Sequence, residues 1–384
     1  MAAMMACRVI PARKTSIADR FARNMILLPG RDILIAQLGD AFALFNSQEQ
    51  RLYEVDSLAA WTWRHVSNCA AGIGWSQLSA QFSSECKLAR PDAEALLDRY
   101  VGLGILHACQ GSASIFAVAL NGSRWMIECP DVLSAELKRL FRGIAIPMEP
   151  GCRQEHLVIR LNADRYELTA AGKSIGVVGR AEIIPAIKAF LTEALLQTDF
   201  TLALHAALLR LGDRQLLIAG VPGAGKTTLA LALSAENGCL LLGDDIVIVD
   251  EKGALRGIPF PAAVKRGSWT LLQTFQPEVA SRPTYVRSDG KEVRFIPGDI
   301  DSDHIAPARS TTMIFLRQNV ARRQSLSRMS PLLAFQRLLT EAAAPTRRLT
   351  DQAFAALSKA VNISRVYEME VGPLRQAVEI IRDL

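Results

Sequence analysis

The chain has 384 residues, 50% hydrophobic and 21% charged, with a formal net charge of +6 and seven cysteines. At about 100–200 residues per domain this length predicts two domains or three, and the composition excludes a disordered chain, which could not bury enough apolar surface to offset its ordering entropy. No apolar run approaches the ~18 residues of a transmembrane helix, and no Cys-x-x-Cys pair suggests a zinc ribbon or disulfide scaffold.

Residues 1–24 read as a flexible N-terminus. They carry Arg8, Arg13, Lys14, Arg20 and Arg23 but no apolar core of the kind a secretory signal needs. With free thiols, this predicts a cytoplasmic location. A small domain is expected over 25–110. Residues 32–38, 41–45 and 51–55 read as strands, separated by turns at 39–40 and 46–50. Asp56 and Ser57 can cap a helix over 58–66, and further helices follow over 75–82 and 92–103, the last opened by Pro91. Three short strands and three helices in this order are a winged-helix pattern. Residues 110–114 are the expected boundary.

Over 115–200 the chain mixes short strands and helices and carries no chemical motif. Residues 157–161 alternate as a strand does. Residues 181–197 read as a helix with Ile184, Ile187, Leu191 and Leu195 on its apolar side. No internal repeat is present.

The nucleotide-binding core is expected over 201–384. Residues 215–220 form a buried strand that runs into Gly220, Val221, Pro222, Gly223, Ala224, Gly225, Lys226 and Thr227, and a helix follows from Thr228. This is G-x-x-x-x-G-K-[ST] between a strand and a helix, the context the motif requires. Glycines let backbone N–H groups turn inward around phosphate oxygens, and the helix N-terminus adds a positive dipole. Lys226 can reach the β/γ-phosphates and Thr227 can offer a hydroxyl to Mg²⁺. The bound species would be ATP with Mg²⁺. Next, Asp244 and Asp245 lie between the apolar runs 239–243 and 246–249. That places two carboxylates at a strand end near the phosphates, Asp245 with Thr227 as metal donors. Like charges side by side raise one pKa, which suits a proton acceptor. His205 sits in an apolar stretch upstream, and Lys265 is a candidate contact to substrate or phosphate. A satisfied core histidine and a surface lysine are their bland readings.

The charge is unevenly spread. Residues 1–110 hold 11 Lys/Arg against 10 Asp/Glu, a net of +1; residues 301–384 hold 12 against 8, a net of +4. The excess surrounds Arg317, Arg322, Arg323, Arg328, Arg347 and Arg348. It is either a solvated face or a site for an anionic ligand.

His205 before a strand, the loop 220–227 and the Asp244–Asp245 pair together resemble the HPr kinase/phosphorylase family, over about 180 residues from Thr201 onward. The resemblance implies an α/β P-loop kinase domain over 111–384 that phosphorylates serine with ATP and Mg²⁺. It implies catalytic roles for His205, Lys226, Asp244 and Asp245, and a closing helix, strand and helix over 351–384. Where the HPr enzymes carry Glu-Ile-Arg-Gly, residues 257–269 here are similar to the divergent HPr-kinase-like proteins found beside peptide-modification genes. The region 32–110 resembles the PqqD family in Gly39-Asp40, the strand exit 53–56, the helix with Trp61 and Trp63, and the ending 103–106. That implies a small winged-helix α+β domain binding the leader of a ribosomally made peptide by adding a strand at the edge 51–55, against the helix 93–103.

The combined expectation is a kinase for a Ser/Thr hydroxyl of a peptide precursor, of the lasso-peptide type, held by its leader. Three alternatives stay open: a kinase of a free small hydroxyl compound with a regulatory N-terminal domain, a DNA-binding winged helix with a nucleotide sensor, and a non-catalytic nucleotide-binding peptide chaperone. The near-neutral charge of residues 1–110 speaks against nucleic acid. No membrane partner is expected, and a homo-oligomer stays open.

Overall fold

The computed structural model describes residues 25–30, 33–46, 50–69, 73–110, 113–148, 154–162, 165–298, 308–318, 324–344 and 348–384. The expected N-terminal segment 1–24 lies outside the described residues, as do Arg322, Arg323 and Arg347. The chain is mixed α/β and divides into two compact units, one of residues 1–114 and 148–153, the other of 115–147 and 154–384. Among the described residues no helix is long and apolar enough to cross a membrane.

The first unit holds β1 (Met25–Pro29), β2 (Ile33–Leu38), β3 (Ala41–Asn46), β4 (Arg51–Val55), α1 (Ser57–Ser67), β5 (Ile73–Gly74), α2 (Trp75–Glu85), α3 (Arg90–Gly102) and β6 (Leu106–Gln110). Strands β2, β3 and β4 form an antiparallel meander in that order. Leu38 pairs with Ala41 across a two-residue turn, where Gly39 takes a positive φ of 64° at no steric cost. Asp56 caps α1 by accepting from Ala59 N at 2.7 Å, worth about 1 kcal/mol, and also accepts from the Tyr100 hydroxyl at 3.5 Å. That second bond ties the exit of β4 to α3. The core gathers Leu27, Leu44, Trp75, Leu78, Phe82, Leu97 and Leu106.

The reading of three strands followed by three helices is incomplete. β1 pairs antiparallel with β6 from Met25–Gln110 to Pro29–Leu106, with β5 on its other side. Gln110, expected to begin the boundary segment, ends this pairing. The run Met-Ile-Leu-Leu-Pro shows no alternation, and its partners lie far along the chain, so no local pattern marks it as a strand.

The second unit begins with β7 (Ala113–Leu120), β8 (Ser123–Pro130), α4 (Asp131–Leu140), β9 (Ala145–Ile146), β10 (Glu155–Asn162), β11 (Arg165–Ala170), β12 (Lys173–Val178) and α5 (Ile183–Leu196). Their six-stranded sheet runs β12-β11-β10-β8-β7-β9, packed against α4 and α5. Then come β13 (Leu202–Leu204), β14 (Ala207–Leu211), β15 (Arg214–Ala219), α6 (Lys226–Ser234), β16 (Cys239–Gly243), β17 (Val247–Val249), β18 (Leu255–Gly257), β19 (Ala262–Lys265), α7 (Trp269–Leu272), β20 (Tyr285–Val286) and β21 (Glu292–Ile296). The chain closes with β22 (Ser310–Gln318), β23 (Ser325–Arg328), α8 (Pro331–Thr340), β24 (Ala342–Ala343), α9 (Asp351–Asn362), β25 (Ser364–Val371) and α10 (Leu374–Arg382).

The sheet β16-β14-β15-β22-β25-β23 organises this unit, with β15, β22 and β25 mutually parallel. Its central strands β14, β15 and β22 are apolar on both faces. Ile218 and Ile314 pack toward α6 and α10, while Leu217 and Phe315 pack toward α8 and α9. Each such side chain removed from water contributes roughly 1.5–3 kcal/mol. Helices on both faces of a sheet with a parallel centre place the crevice at the carboxyl ends of its strands. A four-stranded sheet, β18-β17-β13-β24, adjoins it, alternating Leu204 and Val247 into one core with Ala203 and Ile248 into the other.

Candidate functional site

Strand β15 ends at Ala219 and the chain turns over residues 220–225 into α6. Gly220 has φ 143°, and a Cβ there would stand 2.8 Å from the Leu316 carbonyl oxygen, so only glycine fits against β22. Gly223 and Gly225 also have positive φ, 88° and 99°. Such a backbone turns N–H groups inward, and Gly225 leads directly into the N-terminus of α6. Val221, Pro222 and Gly223 are exposed, whereas Ala224 is buried. The helix starts at Lys226, two residues earlier than the sequence suggests.

Lys226 is buried, and its ammonium donates to the Gly220 carbonyl at 2.6 Å. Burial lowers its pKa. Thr227 Oγ1 donates to both carboxylate oxygens of Asp244, at 3.1 and 3.0 Å. Thr228 Oγ1 lies 2.8 Å from Ser268 Oγ.

The adjacent aspartates occupy different environments. Asp244 is 1% exposed. Burial first, and then the charge of Asp245, push its carboxyl up to about 7. Asp245 is half-exposed and stands in the left-handed region at φ 77°. A non-glycine residue held there stores strain of about 1–2 kcal/mol. Its Oδ2 accepts from Lys188 Nζ at 2.5 Å, and its Oδ1 lies 3.9 Å from His205 Nε2. Burial pushes this carboxyl up, but Lys188 and then His205 outweigh it and hold it below its ordinary value. The two carboxyls are thus driven apart by their surroundings, a pattern typical of acid/base pairs. His205 Nδ1 lies 3.2 Å from Glu341 Oε2, and the His205 backbone N–H donates to the Glu341 carbonyl at 2.9 Å. A carboxylate can only accept, so Nδ1 carries the hydrogen and Nε2 faces Asp245. Burial and Lys226 lower the imidazole pKa against the pull of Asp245 and Glu341.

A cleft of about 560 Å³ gathers His205, Pro222, Gly223, Gly225, Lys226, Thr227, Thr228, Asp245 and Lys265 along its walls. Gly220, Val221, Ala224 and Asp244 do not line it. Lys265, at the end of β19, is exposed and lines the same cleft as the 220–227 loop. The sequence pairs Thr227 with Asp245 as metal donors; in the structure the Thr227 hydroxyl meets Asp244 instead. Asp244 continues β16 toward α6, while the left-handed turn at Asp245 sends its carboxylate to Lys188.

Sequence reasoning missed Lys188, Glu341, Ser268 and the hairpin residues Arg287, Asp289 and Lys291 at the rim. Lys188 left a signal: it interrupts the apolar stripe of Ile184, Ile187, Leu191 and Leu195. Glu341 and the hairpin left none, since nothing near them in the chain carries a motif. Of the arginine group, Arg328 stacks over Tyr367 at 4.9 Å on the outer strand β23 and does not line the cleft.

Among the described residues no group of three or more His, Cys, Asp or Glu could hold a metal by itself. A nucleotide-bound Mg²⁺ needs less, because phosphates and water supply most of its oxygen ligands. The hydroxyl of Thr227 and the buried carboxylate of Asp244, converging beside the loop, are the hard oxygen donors such an ion takes. No protein-family model matches the chain, and no curated protein matches it.

Proposed function

We propose that the second unit is a P-loop kinase of the HPr-kinase type, moving the γ-phosphoryl group of ATP to an alcohol. The observation that carries this reading is the convergence of the 220–227 loop, the Thr227–Asp244 pair and the Asp245–His205 pair at the carboxyl end of β15. The loop N–H groups, the α6 N-terminus and Lys226 hold the phosphates. Thr227 and Asp244 would hold Mg²⁺, which when bound neutralises charge on the β- and γ-phosphates. The acceptor oxygen forms its bond to the γ-phosphorus as the bond to the β–γ bridging oxygen breaks. ADP leaves with that electron pair, and Asp245 takes the hydroxyl proton. His205, fixed by Glu341, orients the incoming group. Phosphoryl transfer asks mainly for positioning and charge, which this short set of residues supplies.

The acceptor we propose is a Ser/Thr hydroxyl of a ribosomally made peptide precursor, of the lasso-peptide type, with the first unit as a PqqD-like winged-helix domain holding its leader. In favour stands β4, an edge strand paired among the described residues only with β3, with Leu52 and Tyr53 exposed on it and α3 tied to its exit through Tyr100 and Asp56. An exposed edge is a template for an added strand.

The test is mass spectrometry of the protein with Mg²⁺-ATP and the precursor peptide encoded nearest to it. The expected result is a gain of one HPO₃ on the peptide, lost in Lys226→Ala. ATP binding with no gain would overturn the acceptor; no ATP binding would overturn the kinase.

A further inference from the structure

We propose that Lys188 is a positioning residue of the phosphotransfer site: from inside the core it anchors one oxygen of Asp245, leaving the other turned to His205 and the cleft. The inference rests on the kinase reading of the same cleft.

Lys188 is the anomaly of α5. Its neighbours on that face, Ile183, Ile184, Ile187, Leu191 and Leu195, are fully buried, and Lys188 itself is only 8% exposed. A buried ammonium costs several kcal/mol unless it is paired, and a lysine in such a stripe is a worse stabiliser than leucine or methionine. Packing therefore gives no reason for a charge at this position. The ion pair does: at 2.5 Å to Asp245 Oδ2 it is a short, charge-assisted hydrogen bond.

The pair is also directional. The Lys188 side chain is 10% exposed and that of Asp245 39%, so the lysine lies behind and the carboxylate in front. Oδ2 is held from behind. Oδ1 faces His205 Nε2. A carboxylate on a freely rotating side chain would present either oxygen; one pinned at Oδ2 presents Oδ1 alone. The left-handed backbone at Asp245 adds to this, since an ion pair across two elements offsets the strain of holding that turn. Asp245 is also surrounded by His205, Arg287 and the neighbouring Asp244. Lys188 is the one cation among the described residues recorded in a hydrogen bond to it.

The role predicts a split between chemistry and binding. Lys188 does not line the nucleotide cleft, so its loss should spare ATP affinity and reduce turnover. Three forms are compared. Lys188→Met keeps the length and fills the stripe, Lys188→Gln keeps a donor without charge, and Lys188→Arg keeps both. For each, ATP affinity is measured by calorimetry, phosphate transfer to the precursor peptide and ATP hydrolysis without it give kcat and KM, and a melting curve reports the fold. Lys188→Met is expected to lower kcat about 100-fold, with the ATP Kd within about threefold and melting at or above wild type, and Lys188→Arg to recover at least about a tenth of the rate. A Lys188→Met enzyme within about threefold of wild-type kcat would overturn the proposal. So would parallel losses of melting temperature, ATP affinity and rate in all three variants, which would mark a structural ion pair only. If the wild type binds no ATP, the kinase reading falls first, and the role assigned to Lys188 falls with it.

Discussion

One side of the cleft comes from a single stretch of chain: β15, the loop and α6 run continuously from residue 214 to 234. The facing side is assembled from His205 after β13, Asp245 after β16, Arg287 to Lys291 between β20 and β21, and Glu341 before β24, with Lys188 of α5 paired to Asp245 from behind the wall. The first arrangement is nearly self-sufficient, because its glycine conformations and helix N-terminus, the features of the proposed anion site, are set locally. The second exists only once distant segments have packed. The side proposed to hold the nucleotide should therefore tolerate change elsewhere in the fold, and the side proposed to serve the acceptor should be sensitive to the elements that carry it.

The largest expected effect tests the continuous side. Lys226→Ala removes the cation proposed to hold the phosphates and should cut phosphate transfer by about 1,000-fold while weakening ATP binding. Retained turnover measured with labelled ATP would show that the loop is not a phosphate site. The assembled side is tested next. Asp245→Asn should lower kcat by about 100-fold or more with the ATP Kd unchanged, because the proton acceptor is lost and the cradle is not. Asp244→Asn should also remove most turnover, but it should raise the Mg²⁺ concentration needed for half-maximal rate, which Asp245→Asn should not. A titration of rate against Mg²⁺ in both variants decides it; equal shifts would erase the division between the two aspartates.

A weaker effect is expected in the first unit. Leu52 on the edge strand β4 is 67% exposed and lies in no core. Leu52→Glu should raise KM for the full precursor about tenfold by weakening strand addition, and leave KM for a leaderless core fragment unchanged. Equal changes for both substrates would remove the leader from the account of β4.

The same contrast explains what could be read before the structure. The strand, the loop and the helix of residues 214–234 announce themselves because spacing, glycine and a lysine fall within one short window. The two aspartates could be placed at a strand end because apolar runs flank them. Their division could not, since it depends on α5 and on the left-handed turn at Asp245, a conformation no motif encodes. Lys188 was visible as a break in an apolar stripe, but its meaning required knowing that Asp245 lies above it. Glu341 and the 287–291 hairpin had no local signal at all. In the first unit the meander β2-β3-β4 alternates and turns at Gly39, and so is legible. β1 and β6 pair across most of the unit, and their pairing is not.

The smallest effect concerns stability, and its sign follows from burial. The Asp244 carboxyl sits at about 7 in the folded chain against an ordinary 3.8. Between those values the folded protein keeps a proton that the unfolded chain releases. Stability from this group is therefore fully present below pH 4, falls as the pH rises through 7, and is constant beyond. Asp245 is depressed, so its contribution is steady above pH 4 and does not interfere in this window. His205 is depressed too and adds a slope of opposite sign below its ordinary 6.5. Comparing Asp244→Asn with wild type reduces that slope to a common background. Without nucleotide or metal, the Asn variant should match wild type near pH 4 and melt higher near pH 8, by about 5 °C. A melting difference that does not change between these pH values would mean that Asp244 is ionised throughout. The electrostatic separation of the pair would then lie in the reach of Lys188 to Asp245, with no share from the burial of Asp244.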